Sequence, residues 1–478
     1  MLRCFEHPRY TSASVRSRPT KTGHVEKFGK RLRRRHKMKI GYIGLGALGG
    51  QLARRFLSAH ELCVWDLNAN AATAFAEAGA KVAPSAGALA SESDVILLCL
   101  PRSSDVRELI FGPGGLAEGL SAGKIVIDQT SGIPEETREI AELLARQGVN
   151  MIDAAVSATP SIVASGGATL MVSGPADVVE KSLPALRTIT ETIFRCGTRV
   201  GDGQAMKMVN NAMNAACRLG TLEIAALGVK AGLTLEYLSE FLNREPARNQ
   251  TTLKMLPALV EGKESTNFAL SLMLKDVNQA VALGMTRSVP MPIMNITRGL
   301  LQIGLNTIGD RARLEDMVGL VESMAATKLA QCKETTKPDV AGSTDVPPAI
   351  EDVLINSLEC LGRAVTYECV SAGLKYGLKL DDIALVVNKG SGWSDASRTL
   401  LPALASGKSE SGTAIDSYLG HLKACSSLAS RVGAPALIPN LVLVIFEQAK
   451  NQLGGSSGVE QLARMYEETA GVKMRRQE

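Results

Sequence analysis

Short apolar runs alternate with stretches of helical spacing from Met38 to about residue 202. The runs predict strands at 39–43, 62–66, 94–100, 124–128, 150–154 and 168–172. Strands separated by helical segments predict a parallel, doubly wound sheet. From residue 203 onward the strand runs stop and helical periodicity takes over. The spacing predicts one long helix from Gly203 to Ala231, ending at Gly232. A polar stretch carrying Pro and Gly at 333–348 reads as a linker.

The helical region after the linker repeats the one before it. A shift of 145 residues aligns the two without a gap. Glu223 then meets Glu368, and Gly232-Leu233 meets Gly377-Leu378. Leu256-Pro257-Ala258-Leu259 meets Leu401-Pro402-Ala403-Leu404, and Gly262-Lys263 meets Gly407-Lys408. Pro290 meets Pro435, and Asn295 meets Asn440. About a fifth of the positions agree over about a hundred residues, more than a chance register gives. The chain therefore divides into a head at 1–37, an α/β domain at 38–202, a helical copy at 203–332, the linker, and a degenerate second copy at 349–470.

The first strand run leads into Gly44-Leu45-Gly46-Ala47-Leu48-Gly49, and helical spacing continues from Gln51 to Leu57. Seventeen residues beyond Gly49, Asp66 closes the second apolar run. Strand, glycine turn, helix, strand and acid in this order is the layout of a dinucleotide site. Gly44 permits the tight turn, Gly46 lets a pyrophosphate approach, and Gly49 lets helix and strand pack closely. The helix N-terminus faces the phosphate charge. Asp66 accepts hydrogen bonds from ribose hydroxyls and repels a 2′-phosphate, which favours NAD over NADP. The α/β domain is thus a Rossmann domain with a doubly wound, mostly parallel sheet, followed by an all-α domain in two tandem copies.

Charge changes the picture little. The chain has 478 residues and a net charge of +5. Residues 1–37 alone carry +10, so the rest carries −5 and does not suggest nucleic-acid binding. The basic head reads as a mitochondrial-type presequence, a basic arm, or sequence upstream of a true start at Met38, and the last reading is favoured. No uninterrupted apolar run suits a bilayer. Nine scattered cysteines without a CxxC pair suit reduced thiols in a cytosolic compartment, favoured over a mitochondrial one.

The candidate chemistry begins with an exclusion. Three of the five histidines lie in the head. His60 sits at the end of the first helix, in position to cap its carbonyls, and His421 lies in the second copy. No His–Asp base and no Cys/His zinc set can be assembled, so no metal is expected. Lys207 is the best proton carrier. It shares a helix face with Asn211, with Asn210 beside them. Desolvation near a domain junction can lower a lysine pKa into a useful range. In the second copy Lys207 becomes Asp352, Asn210 becomes Ile355, Lys275 becomes Gly420 and Asp276 becomes His421; only Asn211 survives, as Asn356. Ser157 is the second candidate, at the carboxyl end of a buried strand, where open α/β sheets bind ligands.

Five ordered motifs from Met38 to about residue 330 resemble the β-hydroxyacid dehydrogenases. These are the glycine turn, Val126 to Ser131, the segment Asp153 to Gly174, Gly203 to Asn211, and Phe268 through Lys275-Asp276. The resemblance implies Lys207 as acid/base, with Asn210 and Asn211 orienting the substrate. It implies Ser157, Ala158 and Thr159 at the substrate carboxylate. Gly44, Leu45, Gly46, Ala47, Leu48, Gly49, Asp66, Leu100, Pro101, Thr130 and Lys275 would line the cofactor. Asn210 stands where phosphogluconate enzymes have histidine, which argues against that substrate. Ala158, Thr159, Ile162 and Val163 replace smaller residues of the family segment, which disfavours 3-hydroxyisobutyrate itself.

The expectation is an NAD-dependent dehydrogenase or reductase of a small 3-hydroxy acid or its aldehyde or keto partner. It would act as a homodimer or a pseudo-dimeric monomer, without nucleic acid or membrane. The alternative is a non-catalytic NAD sensor or assembly module that uses the duplicated helices as a surface. The second copy's loop, Asn388 to Ser394, is expected to reach the active site.

Overall fold

The computed structural model describes residues 37–331, 349–407 and 412–474. The basic head through residue 36, the linker at 333–348 and Lys408 lie outside them. The described residues from Met38 onward belong to one compact unit.

The strands are β1 (Lys39–Ile43), β2 (Glu61–Trp65), β3 (Lys81–Val82), β4 (Val95–Leu98), β5 (Ile125–Asp128), β6 (Asn150–Ser157), β7 (Thr169–Ser173) and β8 (Ile193–Gly197). They form one sheet in the order β3-β2-β1-β4-β5-β6-β7-β8. Every pairing is parallel except β6 with β7. The order reverses between β1 and β4, which opens a crevice at the carboxyl ends of the central strands. β4 and β5 are buried along their whole length, so they read as continuous apolar runs. Two strands escape the sequence pattern. β3 has two residues, both exposed, and is too short to show a period. β8 alternates buried Phe194 and Cys196 with exposed Arg195 over only five residues. The helix after the glycine turn spans Ala47–Arg54. The His60 ring meets the Met38 N–H at 3.4 Å and the Thr188 hydroxyl at 2.9 Å.

The predicted long helix spans Asp202–Lys230 and is buried from Asp202 to Val229. Its many small residues permit this. A Cβ on Gly220 would lie 2.1 Å from Leu361 Cδ1 of a second long helix, Ile350–Tyr376. The two helices pack directly on each other at the centre of the molecule. Among the described residues no helix is long and apolar enough to cross a membrane.

Around these two helices the elements recur in register. Leu235–Leu242, Leu270–Thr286, Pro292–Ile308 and Met317–Ala325 have counterparts in Leu380–Lys389, Ile415–Val432, Leu437–Leu453 and Leu462–Ala470. Ala269 bridges Arg313, and 145 positions later Ala414 bridges Gly458. Asn249 and Ser394, themselves 145 apart, bridge each other. A residue pairing with its own counterpart marks a pseudo-two-fold axis, the isologous arrangement of a symmetric dimer within one chain.

Two buried glutamates cross that axis. Glu223 accepts hydrogen bonds from the N–H groups of Leu437 (3.0 Å) and Ile438 (2.9 Å) in the second copy. Glu368 accepts from Ile293 (3.1 Å) and Met294 (2.8 Å) in the first. Each carboxylate satisfies helix N-terminal donors that would otherwise be orphaned. Burial pushes Glu223 up to about 7 and Glu368 up to about 8, against the pull of those N–H groups.

Candidate active site

The glycine turn separates what the protein needs from what a ligand needs. Gly44 has φ +90°, and a Cβ there would lie 2.2 Å from the Cys99 carbonyl oxygen. A Cβ on Gly49 would lie 2.0 Å from the Gly44 oxygen. Both glycines are demanded by the fold itself. A Cβ on Gly46 would meet nothing within 4 Å. Its φ of −60° is open to any residue, so the fold gives no reason for glycine there. A close-approaching group from outside does. Gly46 is also the N-cap of the Ala47–Arg54 helix and offers no side-chain cap, which leaves the first N–H groups available to phosphate. Leu45 is buried, Ala47 is exposed and Leu48 half-buried.

Asp66 stands at the end of β2, facing this turn. Its Oδ2 accepts the Leu45 N–H at 2.6 Å and its Oδ1 accepts the Asn68 N–H at 2.7 Å. A cleft of about 420 Å³ contains Asp66 together with Leu45, Gly46 and Ala47. These residues fit a dinucleotide: a bare helix N-terminus for the phosphates and a fixed carboxylate for a ribose.

The proposed proton carrier lies at the other end of the crevice. Asp128 and Asp153, at the ends of β5 and within β6, hold the start of the long helix. Asp153 accepts the Gly201 N–H at 2.7 Å and the Gln204 N–H at 2.9 Å, and Ser173 donates to it as well. Gln204 Nε2 donates to Asp128 Oδ2 at 3.2 Å and to the Thr130 carbonyl at 3.0 Å. Burial raises Asp128 to about 6 and Asp153 to about 7, with these donors pulling the other way. One turn further on, Lys207 is only 8% exposed. Its ammonium donates to the Ser131 hydroxyl, just past β5.

From there a polar chain runs through the site. Lys275 Nζ donates to the Ser131 carbonyl at 2.9 Å and lies 3.7 Å from Asp276 Oδ1. Burial holds the Lys275 pKa below the ordinary lysine value; Asp276 opposes this and Lys207 reinforces it. Asn211 Nδ2 donates to Asp276 Oδ2 at 2.7 Å, and Asn210 Nδ2 donates to Asn211 Oδ1 at 3.2 Å. Asn210 is fully buried. It also donates to Ser391 Oγ at 3.0 Å and accepts the Gly392 N–H at 2.9 Å. The second copy's loop therefore touches the polar face of the first copy's helix. Gly390 and Gly392 allow that approach, since Cβ atoms there would lie 2.3 Å from Asn210 Oδ1 and 2.6 Å from Asn210 O.

The remaining sequence candidates fall around this chain. Thr130 is buried, and its hydroxyl accepts the Leu100 N–H at 3.0 Å. Pro101 is exposed on the same rim. Ser157 ends β6 and shares a cleft of about 430 Å³ with Ser391 and Trp393. Ala158 packs against the sheet core. Thr159 caps the short Pro160–Ala164 helix through the Ile162 N–H at 3.4 Å, so its hydroxyl is partly engaged. Sequence reasoning passes over Ser131 as an individual contact, the anchors Asp153 and Gln204, and Ser391. Asp153 and Gln204 carry a weak signal, an acid inside a strand run and an amide at a helix start. Ser391 lies in the 388–394 loop expected at the site, but nothing local singles it out within that loop, because its partner is 181 residues away.

Comparison with known proteins gives the family and the fold. A family profile described as the NAD binding domain of 6-phosphogluconate dehydrogenase matches residues 39–197. A profile described as the NAD-binding of NADP-dependent 3-hydroxyisobutyrate dehydrogenase matches residues 201–321 and 353–466. The 2-(hydroxymethyl)glutarate dehydrogenase of Eubacterium barkeri is 32% identical over 271 residues, 56% of this chain and 89% of that protein. The mitochondrial 3-hydroxyisobutyrate dehydrogenase of Mus musculus is 31% identical over 252 residues, 51% of this chain and 75% of that protein. A solved structure of Mycobacterium tuberculosis 3-hydroxyisobutyrate dehydrogenase with L-serine shares the fold, with a TM-score of 0.55 and 23% identity over 59% of this chain and 99% of that one.

Proposed function

Because this chain belongs to the β-hydroxyacid dehydrogenase family, we propose that it moves a hydride between a nicotinamide cofactor and a small 3-hydroxy acid or its semialdehyde or keto partner. Its relatives are hydroxyacid dehydrogenases, which supports an oxidoreductase. One observation carries the finer reading. Lys207 is the cation withdrawn from solvent at the carboxyl edge of the sheet, on the Ser131 hydroxyl and beside a fixed asparagine pair.

In this reading the nicotinamide, when bound, supplies the hydride acceptor or donor. The chain's residues handle the rest. As the neutral amine, Lys207 Nζ takes the proton from the substrate hydroxyl on oxidation and becomes an ammonium; as the ammonium it returns the proton to the oxygen on reduction. Asn211 is locked by Asp276 and presents its amide at a fixed angle to the same oxygen, and Asn210, held by the second copy's loop, orients the substrate through its bond to Asn211. Ser157 receives the substrate carboxylate at the end of β6. Lys275 faces the cofactor side. Asp66 favours NAD, because a 2′-phosphate would meet a carboxylate already held by the Leu45 N–H.

The first helical copy, 203–332, is read as catalytic. The second, 349–470, is read as a partner subunit made internal, so that one chain forms a pseudo-dimer. The polar chain around Lys207 weighs against a sensor that binds cofactor without turnover. The test is absorbance of reduced cofactor with a panel of 3-hydroxy acids, with NAD and with NADP. Turnover that disappears in Lys207→Ala supports the reading. Bound cofactor with no turnover across the panel overturns it in favour of the sensor.

A further inference from the structure

The cleft that takes in Ser157 has a strongly one-sided charge. Lys254, Lys389 and Arg398 line it, and none of its lining residues is acidic. Among the described residues none of these three cations forms an ion pair. The counterpart of Lys389 behaves differently: Arg244 pairs with Glu240 at 2.7 Å. Arg398 and Lys254 have no charged counterpart, Leu253 and Thr399 standing in their places. The three-cation cluster is thus not repeated across the axis.

The open cations are also held in place. The Arg398 guanidinium lies 3.9 Å over the Trp393 ring, and the Trp393 indole N–H donates to Gln250 Oε1 at 2.8 Å. A stacked guanidinium has a fixed plane and keeps its fork of donors for a planar anion. Lys389 Nζ lies 5.9 Å over the Phe194 ring. Lys254 sits in a single π-helical turn, Thr251–Met255, where the second copy has a regular helix, Asp395–Ser406. Such single π turns are rare and frequent at functional sites. The cleft abuts the polar chain around Lys207, since its wall residue Ser391 is bonded to Asn210.

We propose that this cleft binds a second anionic group of the substrate, a carboxylate or a phosphate at the end away from the reacting hydroxyl. The proposal rests on the dehydrogenase reading for that reacting end. The enzyme would then prefer dianionic 3-hydroxy acids, and the second copy would supply much of the preference through Lys389 and Arg398. Like charges gathered in one cleft repel one another until an anion enters, which makes the gain selective for the second charge.

The test is calorimetric binding to the full chain with NADH present, since a hydroxy acid and the reduced cofactor cannot react with each other. The probes are 3-hydroxybutyrate, 3-hydroxyglutarate and 3-hydroxy-4-phosphobutyrate, which share the hydroxy-acid end and differ in the terminal group. At least one of the two dianions should bind about tenfold or more tightly than 3-hydroxybutyrate. That advantage should shrink as salt is raised. It should fall to near unity in Arg398→Gln/Lys389→Gln, and Arg398→Lys should keep part of it. Whichever dianion gains identifies carboxylate or phosphate as the group read. Absence of a gain for both dianions overturns the proposal, as does a gain that survives in the double variant. Circular dichroism of the variants establishes that they fold. Binding is read in a mixture that cannot turn over, and reduction of NAD by the same compounds is followed separately, so tight binding with no cofactor reduction would sink the dehydrogenase reading and leave the cleft assignment standing.

Discussion

The two long helices, Asp202–Lys230 and Ile350–Tyr376, are built alike and equipped differently. Both are buried, both are rich in small residues, and both carry a glutamate that crosses to the other copy. Only the first has an amine at the sheet edge. Its second-copy counterpart, Asp352, is exposed, and Asn356 spends its amide on the Asp352 carbonyl at 2.7 Å in its own helix. The features that survive in both copies are those the interface between them needs. The features that differ are those a reacting centre next to a sheet needs, and it is the start of the first long helix that is tied to the sheet, through Asp153 and Asp128. In the proposed reading, symmetry keeps the scaffold in both halves, the first half carries the reacting groups and the second shapes the cleft.

The strongest way to break this comparison is to exchange residues across the axis. Lys207→Ala should lower kcat by about 10²- to 10⁴-fold. Asp352→Ala should change it by less than about twofold, since exposed polar changes usually do little. Equal effects in steady-state kinetics would mean that the copies share the chemistry. Next in size is Asn210→Ile, which gives the first helix the second helix's residue. It removes the bonds to Ser391 and Gly392 and leaves a buried N–H unsatisfied. A loss of about 10²-fold in kcat/KM is expected from the displaced loop.

The shared part of the comparison predicts symmetry instead. Glu223→Ala and Glu368→Ala each strip two helix N–H groups of their acceptor. Each should destabilise the fold by about 2 kcal/mol or more, read by denaturant titration. A large difference between them would show that the crossing contacts are not equivalent. The smallest effect is a sharper probe of the same pair. Both carboxyls have folded pKa values raised far above the ordinary 4.5, to about 7 and about 8. Their contribution is therefore full below the ordinary carboxylate range and is lost as pH rises through those values, when a buried charge must form. Unfolding free energy should fall between about pH 5 and pH 9, and the double Glu→Gln variant should flatten that fall. A profile unchanged by the substitutions would assign the pH dependence to Asp128 and Asp153, which are raised in the same direction.

Much of this organisation is legible in the chain, and the failures have local causes. The long helix is placed within one residue at each end, because Gly201 and Gly232 bracket it with positive φ. Six of the eight strands show in the pattern because buried strands are continuous apolar runs. β3 and β8 do not, because neither is long enough for a period to rise above its neighbours. Gly44, Gly46 and Gly49 read as a turn from their spacing, but only the coordinates divide them into two demanded by the fold and one that is not.

By itself the sequence determined which faces are buried, where glycines must turn the chain, that Lys207 and Asn211 share a helix face, and that the helical region occurs twice in register. These come from periods of two, 3.6 and 145 residues, which are properties of local order along the chain. Tertiary structure alone decided which groups meet. It brought Ser131, Lys207 and Lys275 together, seated Ser391 on Asn210, and sent Glu223 and Glu368 across to opposite copies. A periodic pattern fixes that a surface must be covered, whereas the covering partner is selected by packing among elements far apart in sequence, and no local rule carries that choice.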